Sequence, residues 1–261
     1  MTPSLRRLWD RRELIATLTL REVKTRYRGS ALGWLWSLLN PLLLLLTYTV
    51  VFSLIFQPRL QGAEPYALFL FTGLLPWLWF SGALNESTTV LQDNASLLKK
   101  VLFPAEILPA VKVLAHGLHF LLALPVLLAA LAFAGHLKPA AFLALVPMIL
   151  QTATLVGLCL MAAAVSTHFR DLKDLLMNLL NLLFFATPII YLREMIPFPA
   201  LRTALGFNPL TSLFRLWQDA LFFARGPSPK DLAVAAVLAL VSLTAGLVLF
   251  HRLRENIPER L

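Results

Sequence analysis

The sequence predicts an all-α, polytopic membrane protein with six transmembrane helices, an N-terminal amphipathic interface helix and short external re-entrant or gate helices. Three observations predict it. Of 261 residues, 58% are hydrophobic and 14% charged, against about 25% charged in an ordinary soluble domain. The charges leave six empty windows, 29–58, 65–85, 113–137, 139–169, 175–192 and 232–251. Each is close to or above the ~18–20 residues that cross a hydrocarbon core as a helix. They hold 145 residues, more than half the chain, which excludes a water-soluble single-domain enzyme and a disordered chain. Finally, Lys and Arg are shared unequally between the two sides that six spans define.

Residues 1–30 form a basic arm and residues 31–261 the six-span domain. In the arm, Leu14, Ile15 and Leu18 share an arc of about 100° at helical pitch, with Arg21, Lys24 and Arg28 beside it. Asp10 is placed to cap this helix, with Glu13 three residues on. A basic amphipathic helix beside a span either lies among lipid headgroups or docks a partner, and the arm fits both readings. The spans fall at about 34–56, 66–86, 112–134, 141–167, 174–192 and 231–251.

Between them, the cytoplasmic loop 87–111 contains Asn94 to Pro104, one short helix's worth of residues ending in a proline stop. Its apolar stripe of Leu97, Leu98, Val101 and Leu102 packs on the bundle or on another protein, because a solvated loop has no need of it. The external loop 193–230 opens with Met195-Ile-Pro-Phe-Pro199, whose prolines interrupt any helix. Its uncharged stretch Thr203–Phe214 is too short to span and reads as re-entrant or interfacial. A further amphipathic piece, Ser212–Phe223, ends at Gly226-Pro-Ser-Pro229. The loop is expected to form a short helical hairpin dipping into the outer leaflet.

Assigned to alternate sides, Lys and Arg number 16 on the side of both termini and 7 on the other. The positive-inside bias therefore places both termini in the cytoplasm, in a multi-pass protein of the cytoplasmic (inner) membrane. The net charge of +9 then reads as topology and needs no nucleic acid. Cys159, the single cysteine, lies in an apolar window and implies no disulfide framework. The N-terminus makes a poor signal peptide, since its uncharged run of 30 residues exceeds an h-region of about 7–15.

Chemistry inside a membrane needs ionisable groups there, and the windows hold no acid, Lys or Arg. His116 and His119, three apart on one helix face, lack the further ligands a metal requires, so no metal site is assigned. No His-Glu-x-x-His occurs, and none of the eleven glycines precedes a lysine, so a Walker A phosphate loop is absent from the sequence. Any driving nucleotide is bound by another polypeptide. Aromatic residues cluster at Trp34 and Trp36, at Trp77, Trp79 and Phe80, and at Phe184, Phe185 and Tyr191. They fit either a headgroup belt or a sugar-stacking path.

Five ordered motifs resemble the membrane subunits of polysaccharide ABC exporters, the type-2 ABC permeases that move O-antigen, teichoic acid or capsule chains. They are Arg21-Glu-Val-Lys-Thr-Arg-Tyr-Arg-Gly-Ser-Ala-Leu-Gly-Trp-Leu-Trp-Ser-Leu-Leu-Asn-Pro41, Leu97-Leu-Lys-Lys-Val-Leu-Phe-Pro-Ala-Glu-Ile-Leu-Pro109, Phe169-Arg-Asp-Leu-Lys-Asp174, Thr187-Pro-Ile-Ile-Tyr191 and Asn208-Pro209. The resemblance implies a permease subunit without enzymatic activity, working as a homodimer with two ATPase subunits that bind ATP and Mg. It implies an interface helix carrying Arg21, Lys24, Arg26, Tyr27 and Arg28. A coupling helix would seat Asn94, Ser96, Leu97, Leu98, Lys99, Lys100, Phe103 and Pro104 in the ATPase. Trp34, Trp36, Tyr48, Trp77, Trp79, Phe80, Phe184, Phe185 and Tyr191 become candidates to line the path of a lipid-linked polysaccharide, beside membrane lipids. Ala105 departs from the resemblance, which implies a basic residue there. The alternatives are a same-fold permease for drugs or small lipids and, from another class, a polytopic membrane enzyme.

Overall fold

The computed structural model describes residues 10–26, 29–30, 32–52, 64–100, 103–169 and 171–254; for Trp34, Lys100 and Glu194 the description covers the backbone. Every regular element among these residues is helical. In chain order they are α1 (Arg12–Arg26), α2 (Trp36–Val50), α3 (Tyr66–Ser87), α4 (Val90–Asp93), α5 (Ala95–Lys100), α6 (Ile107–Phe133), α7 (Leu145–Ser166), α8 (Leu172–Ala186), α9 (Pro199–Gly206), α10 (Pro209–Gln218) and α11 (Pro229–Leu253). A 3-10 turn, Pro139–Ala144, leads into α7, and a π-turn, Asp219–Phe223, follows α10.

The charge-free windows became helices because a backbone in hydrocarbon must satisfy its own hydrogen bonds. Four of them, α3, α6, α7 with its leading turn, and α11, have 22 to 28 residues and are apolar enough to cross a membrane. α2 and α8 have 15 residues each, about 22 Å at 1.5 Å per residue, against a core of about 30 Å. Prolines 199, 209 and 229 stand at helix starts, where the missing N–H costs nothing.

The boundaries correct the expectations in four places. α6 begins at Ile107, not near 112, because Lys112 lies inside the helix with its ammonium paired. α8 stops at Ala186 rather than 192, since Thr187 turns extended before Pro188, which disfavours helix in the preceding residue. The short cytoplasmic helix expected over 94–104 is described as α5 over Ala95–Lys100, with Val101 and Leu102 outside the described residues; a separate turn, α4, precedes it, and at Asn94 between them the side-chain amide donates to the Val90 carbonyl at 2.8 Å. Asp10 does not cap α1, which starts two residues later at Arg12.

α3 is hydrophobic all round and occupies the centre of the bundle, with Phe69, Phe71 and Phe80 fully buried. α7 and α11 cross more closely than side chains allow. A Cβ on Gly157 would stand 2.1 Å from the Ser242 carbonyl oxygen, and one on Gly246 would stand 2.2 Å from the Gly157 oxygen. Small residues give this approach in place of a hydrophobic drive that lipid cannot supply.

In the loop 193–230, expected to form a hairpin, stand α9 and α10, the first with no buried residue and the second inserted into the bundle. Trp217 on α10 is fully buried, and its indole N–H donates to Gln151 at 2.9 Å. Gln151 in turn donates to the Pro76 carbonyl at 3.0 Å. The turn into α10 is set by Asn208, whose side chain accepts from the Leu210 N–H at 3.0 Å.

Candidate functional site: a charged knot, a cleft and an external hairpin

On the side of the N-terminal helix, Glu22 and Arg26 lie one turn apart on α1 and face the ends of α3 and α6. Arg26 Nη2 reaches Glu86 Oε1 at 2.5 Å, and Lys112 Nζ bridges Glu22 Oε1 at 2.5 Å and Glu86 Oε2 at 3.3 Å. His116 Nε2 stands 3.1 Å from the same Glu86 Oε1. Beside this knot Ile15 is buried against Ile107 and Val111, with Leu14, Leu18 and Phe103 around them. The apolar arc of the arm thus packs on the chain's own third span, leaving Arg21 and Lys24 exposed on the outer side. Tyr27 and Arg28 lie outside the described residues.

The loop between α3 and α6 is folded back onto the bundle. Val90 and Leu91 are buried with Ala105, Leu108, Leu160, Ala163, Ala164, Leu247 and Phe250, and Leu98 and Phe103 pack against them. Gln92 donates to the Ser166 carbonyl at 3.1 Å, which ties the loop to α7. Ala105 is buried within this cluster, so its small size suits its place. α5 therefore turns Leu98 inward and presents Ser96 and Lys99 outward, with Leu97 half-buried between. Asn94 and Pro104 are half-buried at its two ends, the Lys100 side chain is undescribed, and Val101 and Leu102 lie outside the described residues. The arrangement is a six-residue helix with Ser96 and Lys99 turned outward and an apolar cluster behind it.

Next to the knot a cleft of about 540 Å³ opens between α2, α3 and α6. Arg26, Trp36, Asn40, Trp79, His116 and His119 are among its walls. The Trp79 indole donates to the Val113 carbonyl at 3.0 Å and stacks on Phe120 at 5.3 Å between centroids. No group of three or more metal-binding side chains occurs among the described residues.

The other aromatic candidates separate by place. Trp77 and Phe80 are buried inside the bundle, Trp77 lying 5.5 Å from Phe214 and 5.6 Å from Phe184 between centroids. Phe185 is exposed, Phe184 half-buried, and Tyr191 donates its hydroxyl to the Phe185 carbonyl at 2.7 Å. Tyr48 on α2 is half-buried and stacks on Phe52 at 6.0 Å. The Trp34 side chain is undescribed.

On the opposite side, Asn208 donates to Thr187 Oγ1 at 3.1 Å and to the Ala186 carbonyl at 3.2 Å, and Gln218 donates to the Pro188 carbonyl at 3.0 Å. The hairpin is thereby fastened to the end of α8. Asp231, almost fully buried at the start of α11, accepts from Ser212 Oγ at 2.8 Å and faces Arg215 at 3.7 Å. Burial raises the Asp219 carboxyl above its ordinary pKa of 3.8; Arg215 opposes the rise, Asp231 adds to it and Arg225 opposes it.

The knot was missed from the sequence, where Glu86 and Lys112 served as window edges. The available signal was Glu22 and Arg26 at helical spacing i, i+4 beside those two edges of a single side.

The sequence pattern of the ABC-2 type transporter family matches residues 13–222. The chain is 36% identical over 258 residues to the "O-antigen export system permease protein RfbA" of Myxococcus xanthus, covering 98% of each. It is 31% identical over 249 residues to a protein of the same name from Klebsiella pneumoniae, covering 95% of this chain and 94% of that one. The polysialic acid transport protein KpsM of Escherichia coli is 28% identical over 248 residues, 93% of each. With a family match that covers three of its four long apolar helices and the hairpin of α9 and α10, the chain belongs to the ABC-2 type transporter family.

Proposed function

We propose that this chain is the permease subunit of an ATP-driven exporter carrying a lipid-linked polysaccharide, of O-antigen, teichoic acid or capsule type, across the cytoplasmic membrane. The observation that carries the reading is similarity over nearly the full length to permeases named for O-antigen export. In this reading both termini are cytoplasmic, and the chain has no enzymatic activity of its own. ATP and Mg bind a separate ABC ATPase. That subunit seats against Ser96, Leu97 and Lys99 on α5 and against the outer side of α1, and closure of the ATPase pair pushes through the braced loop.

Two permease copies complete the path. α8 supports this: Leu175, Leu182 and Phe185 are exposed along it, with Asn178 and Asn181 on the same open side. Amides in hydrocarbon call for a partner helix. Trp36, Tyr48, Phe184, Phe185 and Tyr191 stay as wall candidates and Trp79 as a wall of the cleft; Trp77 and Phe80 act from within the core.

The test is deletion of the gene. Loss of surface polysaccharide with accumulation of lipid-linked chains inside the cell is expected, and restoration by the gene in trans. A deletion strain with normal surface polysaccharide refutes the reading.

A further inference from the structure

A second cavity of about 540 Å³ lies on the face away from the charged knot, between α6 and the 3-10 turn that leads into α7. Its lining is apolar, with Leu124, Leu128, Phe142, Met148 and Trp217 among the walls, and carries one charge, Lys138, beside Leu137 and Pro139. Phe120 is the α6 wall residue farthest along the helix from Lys138, which stands just beyond that helix's end. The α6 residues that line it run from Phe120 to Leu128, a rise of about 12 Å at 1.5 Å per residue, close to one leaflet of a core about 30 Å thick. Phe133 and Phe142 flank the end of α6 at 92% and 80% exposure, as aromatic rings do at the membrane–water boundary.

We propose that this groove is a binding site for an anionic phospholipid of the leaflet opposite the N-terminal helix. One acyl chain fills the slot between α6 and the turn, and the headgroup phosphate pairs with Lys138. The match is one of shape and charge together: a leaflet-deep apolar slot with a single cation beyond its end. An exposed lysine extends its ammonium to the headgroup level while its stem covers apolar surface. The groove shares the Phe120 wall with the cleft beside the knot but differs from it in its other walls, and it is independent of which polymer is carried.

The test is native mass spectrometry of the full-length permease in detergent, titrated separately with phosphatidylglycerol and phosphatidylcholine. The wild type is expected to bind phosphatidylglycerol about fivefold tighter, the increment of one lysine at an anionic headgroup. Lys138→Gln is expected to abolish this preference while binding phosphatidylcholine as before. Ala141→Trp fills the slot and is expected to weaken both lipids; Leu145→Trp, at a more exposed wall position, does the same if Ala141→Trp fails to fold. Equal affinities in the wild type, a preference that survives Lys138→Gln, or unchanged binding in the filled variants overturns the proposal. So does a groove that retains neither lipid because a second copy covers it.

Discussion

Replacing Gly157 by Ala adds one methyl group at the tightest crossing in the molecule. The new Cβ would meet the Ser242 carbonyl oxygen at 2.1 Å, its carbon at 2.2 Å and the Leu243 nitrogen at 2.5 Å. All three are backbone atoms, so no rotamer change relieves the clash. Ordinary contact begins at 3.4 Å, and α7 and α11 must therefore separate by about 1.3 Å. A gap of 0.5–1 Å already forfeits a quarter to a half of each dispersion well lining it. Overpacking typically costs about 1–3 kcal/mol, and a rigid backbone on both sides puts this substitution near about 3 kcal/mol. At about 2–4 °C per kcal/mol for a chain near this size, the melting temperature falls by about 6–12 °C.

The assay is thermal unfolding of the detergent-solubilised protein, followed by fluorescence-detected gel filtration. Gly226→Ala is the control, because a Cβ there meets nothing within 4 Å, and a shift under about 2 °C is expected. Gly246→Ala should resemble Gly157→Ala. The double variant should cost clearly less than the two losses together, since one separation of the helices accommodates both methyl groups. A Gly157→Ala protein melting with the control, or a double variant that is strictly additive, refutes the reasoning.

The remaining perturbations probe the two faces. Leu97→Asp is expected to abolish copurification with the ATPase at unchanged melting temperature, whereas Leu98→Asp, aimed into the chain's own cluster, should also cost about 1–3 kcal/mol of stability; undiminished complex with both variants refutes the docking of α5. Glu86→Gln leaves Arg26 and Lys112 facing each other with only Glu22 to compensate, and with Glu86 a third exposed the loss is about 1–2 kcal/mol. Limited proteolysis should then cut α1 faster, and unchanged cleavage argues against the knot. Asp219, its pKa raised in the fold, contributes stability that is complete below its ordinary 3.8 and is lost as pH rises through the raised value. Asp219→Asn should therefore melt higher relative to wild type at pH 8 than just below pH 3.8; an Asn variant that loses ground on going to pH 8 refutes the sign.

How much of this was legible depended on where each side chain found its partner. The helix α3, Tyr66–Ser87, coincides closely with the charge-free window 65–85 because charges fence both ends of an uninterrupted apolar run. The third span was cut short because Lys112 looked like a boundary, while its neutralising acids lie on α1 and α3, far away in sequence. The hairpin was legible as a place but not in its bounds: the uncharged stretch Thr203–Phe214 straddles the break between α9 and α10, and Pro199, read as interrupting a helix, starts one because its missing donor costs nothing there. Its depth was not legible either, since Trp217 is held by Gln151, 66 residues earlier. The aromatic candidates show the same limit. Residue type said that Trp77 and Phe80 were large and apolar; only their contact with Phe214 from the external loop places them in the core rather than on a wall.

Packing also decides which parts of the molecule can yield. α3 is buried nearly all round, and α7 and α11 meet backbone to backbone, so parting them breaks dense contacts that have two stable partners already. α2 and α8 are the reverse: short, exposed along most of their length, and carrying Asn40, Asn178 and Asn181 on open surface. Asn178 donates to the Asp174 carbonyl at 2.9 Å, and lipid offers no partner to the polar atoms that stay open. In the proposed dimer they meet another helix instead, through interhelical hydrogen bonds of about 0.6–2 kcal/mol each, which are cheap to exchange. A seam of that kind opens with far less work than the core behind it. α8 is also the helix to which the external hairpin is fastened, through Thr187–Asn208 and Pro188–Gln218. A shift of α8 therefore draws on α10, and through Trp217–Gln151 and Ser212–Asp231 it draws on α7 and on the start of α11 as well, so the hairpin is the link between the seam and the core.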